Sequence, residues 1–154
     1  MITFIKQISA YLVIGPLKHI TEEHIDAHCR YLGISREELT DFTIPDGVTS
    51  IGNDAFYGCT SLTSITIPDS VTRIGGEAFA ECTALTYITI PDSVTTIDRS
   101  AFFGCTTLES ITIPDSVTEI GDEAFLGCTS LKSIIVPNSV TQIGESAFRG
   151  CTAL

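Results

Sequence analysis

From Phe42 onward the apolar positions recur at a fixed interval of 23 residues, not at the short period of a single helix or strand. Aligned on itself without a gap, the chain divides into five units that begin at Phe42, Ile65, Ile88, Ile111 and Ile134. Each unit is close to I-T-I-P-D-S-V-T-x-I-G-x-x-A-F-x-G-C-T-x-L-x-S. A unit this short buries its apolar face only against its neighbours, so the pattern predicts a solenoid. In the second unit the core columns are Ile65, Ile67, Val71, Ile74, Ala78, Phe79, Cys82 and Leu85, and every other unit has counterparts.

The spacing inside a unit predicts its elements. Leu62-x-x-Ile65-x-Ile67 alternates at period two, which marks a short strand with one buried face, and stacked units turn such strands into a parallel sheet. Pro68 cannot donate to the ladder and ends the strand. Val71-Thr72-Arg73-Ile74 reads as a second short extended segment on the opposite wall, closed by Gly75. Ala78-Phe79 reads as a tight helical or 3₁₀ turn that plugs the coil. At a strand spacing of about 4.8 Å, five coils make a stack of roughly 24 Å.

Residues 1–41 lack the repeat and are expected to form a small helical cap over the open end of the solenoid at 42–154. Thr21-Glu22-Glu23 offers an N-cap followed by two acids in the first turn, and Gly33 offers a stop. Ser35-Arg36-Glu37-Glu38 reads as a capping box opening a second helical turn. Met1–Val13 fits a helix or a strand, broken at Gly15-Pro16.

The phrases Ser64-Ile65-Thr66-Ile67-Pro68-Asp69-Ser70-Val71-Thr72, Ala78-Phe79 and Gly127-Cys128-Thr129-Ser130-Leu131 resemble the BspA-like subclass of leucine-rich repeats. The resemblance covers residues 42–154, recurs in all five units and says nothing of residues 1–41. It implies a curved leucine-rich-repeat solenoid used for protein–protein contact, often as an adhesin or surface protein. Fold alone does not fix that function.

Charge narrows the partners. The net charge of −11 is concentrated in the repeats, where residues 42–154 carry four Lys/Arg against thirteen Asp/Glu. Such a surface repels nucleic-acid phosphates and anionic membranes alike, so neither is expected as a partner. The longest apolar run, Tyr11–Gly15, is far short of the roughly 20 residues that span a bilayer, and no membrane insertion is expected. Met1–Ser9 places a lysine before an apolar patch, but Gln7 and Ser9 interrupt it, so it does not read as a secretory signal. The resemblance implies the cell surface or secretion; the free cysteines fit the cytoplasm as the alternative.

Three sets of residues invite a chemical reading. Cys59, Cys82, Cys105, Cys128 and Cys151 form a column. None has the close-spaced partner that clamps zinc, and stacking keeps their Cβ atoms about 4.8 Å apart, beyond ordinary disulfide reach. They read as buried thiols. Asp46, Asp69, Asp92 and Asp115 form another column, but Asn138 keeps the oxygen and drops the charge, which points to an Asx-turn and not to calcium. His24, His28 and Cys29, with His19 nearby, share a helical neighbourhood without a His-Glu-x-x-His frame and read as cap residues. No nucleophile elbow, phosphate loop or dinucleotide fingerprint is present. The chain is therefore expected to be non-enzymatic, with no catalytic residues, metal or cofactor.

Specificity is expected where the units differ without disturbing the core. The outward strand positions read Thr63-Ser64-Thr66, Thr86-Tyr87-Thr89, Glu109-Ser110-Thr112 and Lys132-Ser133-Ile135, and Tyr87, Glu109, Lys132 and Ile135 break the Thr/Ser ladder. An aromatic anchor with flanking charges on a rigid sheet is suited to binding a protein. The variable columns Ser50/Arg73/Thr96/Glu119/Gln142 and Tyr57/Ala80/Phe103/Leu126/Arg149 are alternative surfaces. The competing functions are a structural spacer or self-assembling unit joined end to end through an uncapped C-terminal coil, and ice binding by the Thr rows.

Overall fold

A computed structural model describes residues 17–154; the readings for Met1–Val13, Met1–Ser9 and Gly15-Pro16 lie outside the described residues. A short strand β1 (His19–Ile20) leads into α1 (Glu22–Leu32), followed by a 3₁₀ turn at Arg36–Glu38. Five coils follow. Their front strands are β2 (Asp41–Thr43), β4 (Ser64–Thr66), β6 (Tyr87–Thr89), β8 (Ser110–Thr112) and β10 (Ser133–Ile135). Their back strands are β3 (Ser50–Ile51), β5 (Arg73–Ile74), β7 (Thr96–Ile97), β9 (Glu119–Ile120) and β11 (Gln142–Ile143). This is the solenoid with a parallel sheet and short second strands that the repeat predicts.

The back wall is one parallel sheet in the order β1-β3-β5-β7-β9-β11, with Ile20, Ile51, Ile74, Ile97, Ile120 and Ile143 in register. β1, which sequence reading missed, continues that sheet past the first coil. A threonine column stitches the approach to each strand: the hydroxyls of Thr49, Thr72, Thr95, Thr118 and Thr141 donate to the carbonyls of Lys18, Thr49, Thr72, Thr95 and Thr118. The Pro-Asp-Ser-Val corner between front and back walls closes through the backbone, as in the 3.0 Å bond from Val71 N–H to the Pro68 carbonyl.

The third wall corrects the expected plug. Its backbone alternates two kinds of bond. Tyr57 and Cys59 N–H donate within the coil to Asp54 and Phe56, as a 3₁₀-like turn would, but Asp54, Phe56 and Gly58 N–H donate to Gly76, Ala78 and Ala80 of the next coil. The same three bonds recur at each of the four coil interfaces, at 2.7–3.0 Å. The wall is therefore a ladder and a turn at once.

Behind it Phe56, Phe79, Phe102, Phe125 and Phe148 stack with centroids 5.3–5.5 Å apart and planes within 9° of parallel. This column follows the rise of the coils, with centroid separations inside the range that aromatic pairs favour. Phe42 turns edge-on to Phe56, and His28 turns edge-on to Phe42. Ile25, Cys29 and Leu39 join the core at this end. The helix starts and stops where its caps predict: Thr21 precedes it, and Gly33 takes the left-handed φ of 72° that a C-terminal glycine favours. Ser35 N–H donates to Glu38 at 2.7 Å, completing the predicted box.

Candidate functional site

The front wall carries every residue expected to bind a partner, and the structure divides that set. β6, β8 and β10 form a three-stranded parallel sheet, whereas β2 and β4 pair separately; the ladder is interrupted between β4 and β6. Thr86, Tyr87, Thr89, Glu109, Ser110, Thr112, Lys132, Ser133 and Ile135 are exposed outward positions on or next to the three-stranded part. Thr63, Ser64 and Thr66 lie across the interruption. The same interruption leaves Ile65 and Ile67 half-buried, while Ile88 and Ile111 of the next coils are buried. No motif in the sequence signals this break.

Register fixes the geometry of the patch. Tyr87, Ser110 and Ser133 stand in one row across the three strands, and Thr89, Thr112 and Ile135 in the next. Tyr87 is 62% exposed and Ile135 78% exposed, at opposite corners of the sheet. The Tyr87 hydroxyl is hydrogen-bonded to Thr89 Oγ1, which fixes the ring over its own strand. Beside them Lys132 Nζ bonds Glu109 Oε2 at 2.8 Å. Both side chains of that pair are solvated, so the ion pair contributes on the order of 0.2–1 kcal/mol and acts chiefly as a fixed charge pattern. The patch offers two apolar anchors, a hydroxyl field and a dipolar pair.

The scaffold columns behave as structure. All six cysteines are free thiols. Burial pushes Cys59 and Cys128 up to about 12, and Cys82 and Cys105 also well above the ordinary thiol range, so these thiols stay protonated and unreactive. Each thiol from Cys82 to Cys151 also donates to a phenylalanine carbonyl of the preceding coil, Phe56, Phe79, Phe102 and Phe125, at 3.1–3.2 Å. They are more than the small hydrophobes the sequence suggested.

The aspartate column needs a correction. Asp46, Asp69, Asp92 and Asp115 are exposed at the proline corners, and among the described residues no Asx-turn bond from their carboxylates accompanies the backbone closure. The adjacent serines make the side-chain contacts: Ser93 and Ser116 Oγ donate to the Val71 and Val94 carbonyls at 2.6 Å, and Gly47 N–H donates to Ser70 Oγ.

The histidines point apart. His24 Nδ1 turns back to Thr21 Oγ1 at 2.6 Å, His19 Nδ1 lies 2.6 Å from Ser50 Oγ, and His28 faces Phe42. Burial holds His24 and His28 below the ordinary imidazole value. No cluster of three or more His, Cys, Asp or Glu side chains suited to a metal occurs among the described residues. No helix among them is long and apolar enough to cross a membrane.

The comparisons agree with this architecture. The family model of the BspA type leucine rich repeat region matches residues 34–154 in six copies. This chain belongs to that family. A leucine-rich repeat protein of T. pallidum is similar at 41% identity and a TM-score of 0.72, over 74% of this chain and 56% of its own. One from Bacteroides ovatus is similar at 44% identity and a TM-score of 0.72, over 75% of this chain and 32% of its own. A leucine rich cell surface protein of Faecalibacterium prausnitzii is similar at 37% identity and a TM-score of 0.60, over 90% of this chain and 42% of its own. The chain thus spans little more than half, or less, of each of these proteins. No curated protein matches it.

Proposed function

We propose that this BspA-type solenoid is a non-enzymatic binding module that holds a protein partner on the three-stranded part of its front wall, in the manner of an adhesin. The observation that carries the reading is the pair of exposed apolar side chains Tyr87 and Ile135 on a rigid hydroxyl-bearing sheet, in rows otherwise filled by Ser and Thr. A scaffold has no need of them there, and a partner does: aromatic and aliphatic anchors supply most of the binding energy in small interfaces. Glu109 and Lys132 set orientation around them. Residues 1–41 serve as the cap of the module, and Thr63, Ser64 and Thr66 are peripheral. The named cell surface neighbour supports placing the protein at the cell surface.

The test compares proteins recovered on immobilised wild type with those recovered on a Tyr87→Ala/Ile135→Thr variant. A partner captured by the wild type is expected to bind the variant at least about 30-fold more weakly, the effect of losing a hot spot worth roughly 2 kcal/mol, with the melting temperature unchanged. Equal capture by both proteins would remove this face from consideration.

A further inference from the structure

Among the described residues Asp54, Glu77, Ser100, Glu123 and Ser146 share a positive φ and are one position repeated in five coils, so their strain belongs to the fold. Glu81, at 59°, stands apart from them. Its own column otherwise holds Gly58, Gly104, Gly127 and Gly150. The left-handed turn is therefore the repeat's, but the side chain on it is not. Backbone strain that the scaffold does not require points to a use for the side chain that bears it.

The same coil departs from the repeat at the preceding position. The outward column of the third wall reads Tyr57, Ala80, Phe103 and Leu126 through the first four coils. Gly58 N–H donates to the Ala80 carbonyl at 2.9 Å and Glu81 N–H to the Phe103 carbonyl at 2.7 Å, which sets Ala80 between the two aromatic residues. Ala80 is fully buried, so its neighbours form the surface there; Tyr57 is 44% exposed and Phe103 half-buried. The carboxylate of Glu81 lies across the next coil. A Cβ on Gly104 would stand 2.6 Å from Glu81 Oε1, so this glycine leaves the space that the carboxylate fills.

Glu81 is half-buried, yet among the described residues no hydrogen bond or ion pair engages its carboxylate. The cations nearby in the stack are committed elsewhere. Arg73, Arg99 and Lys132 pair with Asp98, Glu123 and Glu109. Arg36 donates to the Asp54, Ala55 and Tyr57 carbonyls and is held by Asp26 at 2.7 Å. A carboxylate partly withdrawn from water gains most from a charged donor. Aromatic faces beside it favour a guanidinium, which stacks on a ring while its N–H groups reach the carboxylate.

We propose that Glu81, with Tyr57 and Phe103 on either side of Ala80, forms a second binding site on the third wall that takes an arginine side chain of a partner protein. Charge complementarity supports this occupant, because the chain carries a net charge of −11. The site is separate from the front wall and does not rest on the reading of that surface.

The test is an NMR titration of the full ¹⁵N-labelled chain with acetyl-arginine amide, beside acetyl-citrulline amide, which has the same shape without the charge. Arginine is expected to give saturable shifts at the amides of Tyr57, Glu81, Phe103 and Gly104, and citrulline none. Glu81→Gln is expected to weaken binding by about tenfold or more and Phe103→Ala by about threefold. Glu77→Gln, which removes an exposed acid of the same coil, and Tyr87→Ala on the front wall are expected to leave it unchanged. Equal shifts with citrulline, binding that survives Glu81→Gln, or an equal loss in Glu77→Gln would overturn the proposal. Should Glu81→Gln lose the solenoid's circular dichroism, Glu81→Gly, which restores the residue of the other coils, is measured in its place, and undiminished binding by that variant would also sink the idea.

Discussion

The third wall and the front wall are built from the same 23-residue unit, yet only one is continuous. The third wall keeps its three bonds at every interface, whereas the front ladder lapses between β4 and β6. The side chains differ in the same sense. Inward from the third wall every coil repeats Ala, Phe and Cys, all buried in the interior coils. Outward from the front wall Tyr87, Glu109, Lys132 and Ile135 replace Ser and Thr. Variation is tolerated where a side chain faces solvent and the core does not feel it. What cannot vary is thus the inward Ala, Phe and Cys of the third wall, whereas the outward positions of the front wall are free to differ from coil to coil.

Truncating the continuous wall is the strongest way to break this contrast. Phe102 is fully buried and stacked on both faces, by Phe79 and Phe125. Phe102→Ala is expected to cost about 3–5 kcal/mol, the range for a buried phenylalanine that leaves a cavity, read as a lower midpoint in urea unfolding. On the front wall Tyr87→Ala is expected to move that midpoint by no more than about 0.5 kcal/mol, the usual range for surface changes. Similar costs at both positions would dissolve the division of labour.

Much of this was legible in the repeat. Strand positions, the inward isoleucines, the back wall and the end of α1 follow from period and capping residues, because each is decided within one unit or one turn. What was not legible is decided between units. Nothing local announces that Asp54, Phe56 and Gly58 donate to the next coil, that Cys82 bonds Phe56, or that Arg36 reaches carbonyls some twenty residues away. The interruption beside Tyr87 is of this kind as well, and only register shows that Thr63, Ser64 and Thr66 lie across it from the other nine candidate positions. Asp69 misled for another reason. Its residue type favours an Asx-turn, but the backbone bond already closes the corner and leaves the carboxylate nothing to do.

Glu81 offers a smaller, sharper test of the continuous wall. It stands in a column otherwise filled by glycine, at Gly58, Gly104, Gly127 and Gly150, and like them it has a positive φ, 59°. That conformation costs a non-glycine residue about 1–2 kcal/mol, while replacing it by glycine adds back roughly 0.5–1 kcal/mol of chain entropy to be lost on folding. Glu81→Gly is therefore expected to stabilise the protein by up to about 1.5 kcal/mol, seen as a higher midpoint in chemical unfolding. A clear loss of stability would mean that the Glu81 side chain, which packs toward Gly104, contributes more than its backbone strain costs.

The smallest expected effect is at the corner between the front and back walls, and it separates the chemistry of the aspartate column from its position. Asp69 is exposed, and the corner it occupies is held by the Val71 to Pro68 backbone bond and by Ser70, whose Oγ accepts from Gly47. The fifth coil already has Asn138 at this position, with the equivalent Val140 to Pro137 bond intact at 3.1 Å. Asp69→Asn should therefore shift stability by less than about 0.5 kcal/mol, with the small change reflecting relief of repulsion along a row of like charges roughly 5 Å apart. The midpoint of thermal unfolding should be the same with calcium and with a chelator, for wild type and variant alike. A calcium-dependent rise in the wild type that vanishes in Asp69→Asn would give the column a ligand and move part of the protein's chemistry from the front wall to the corner.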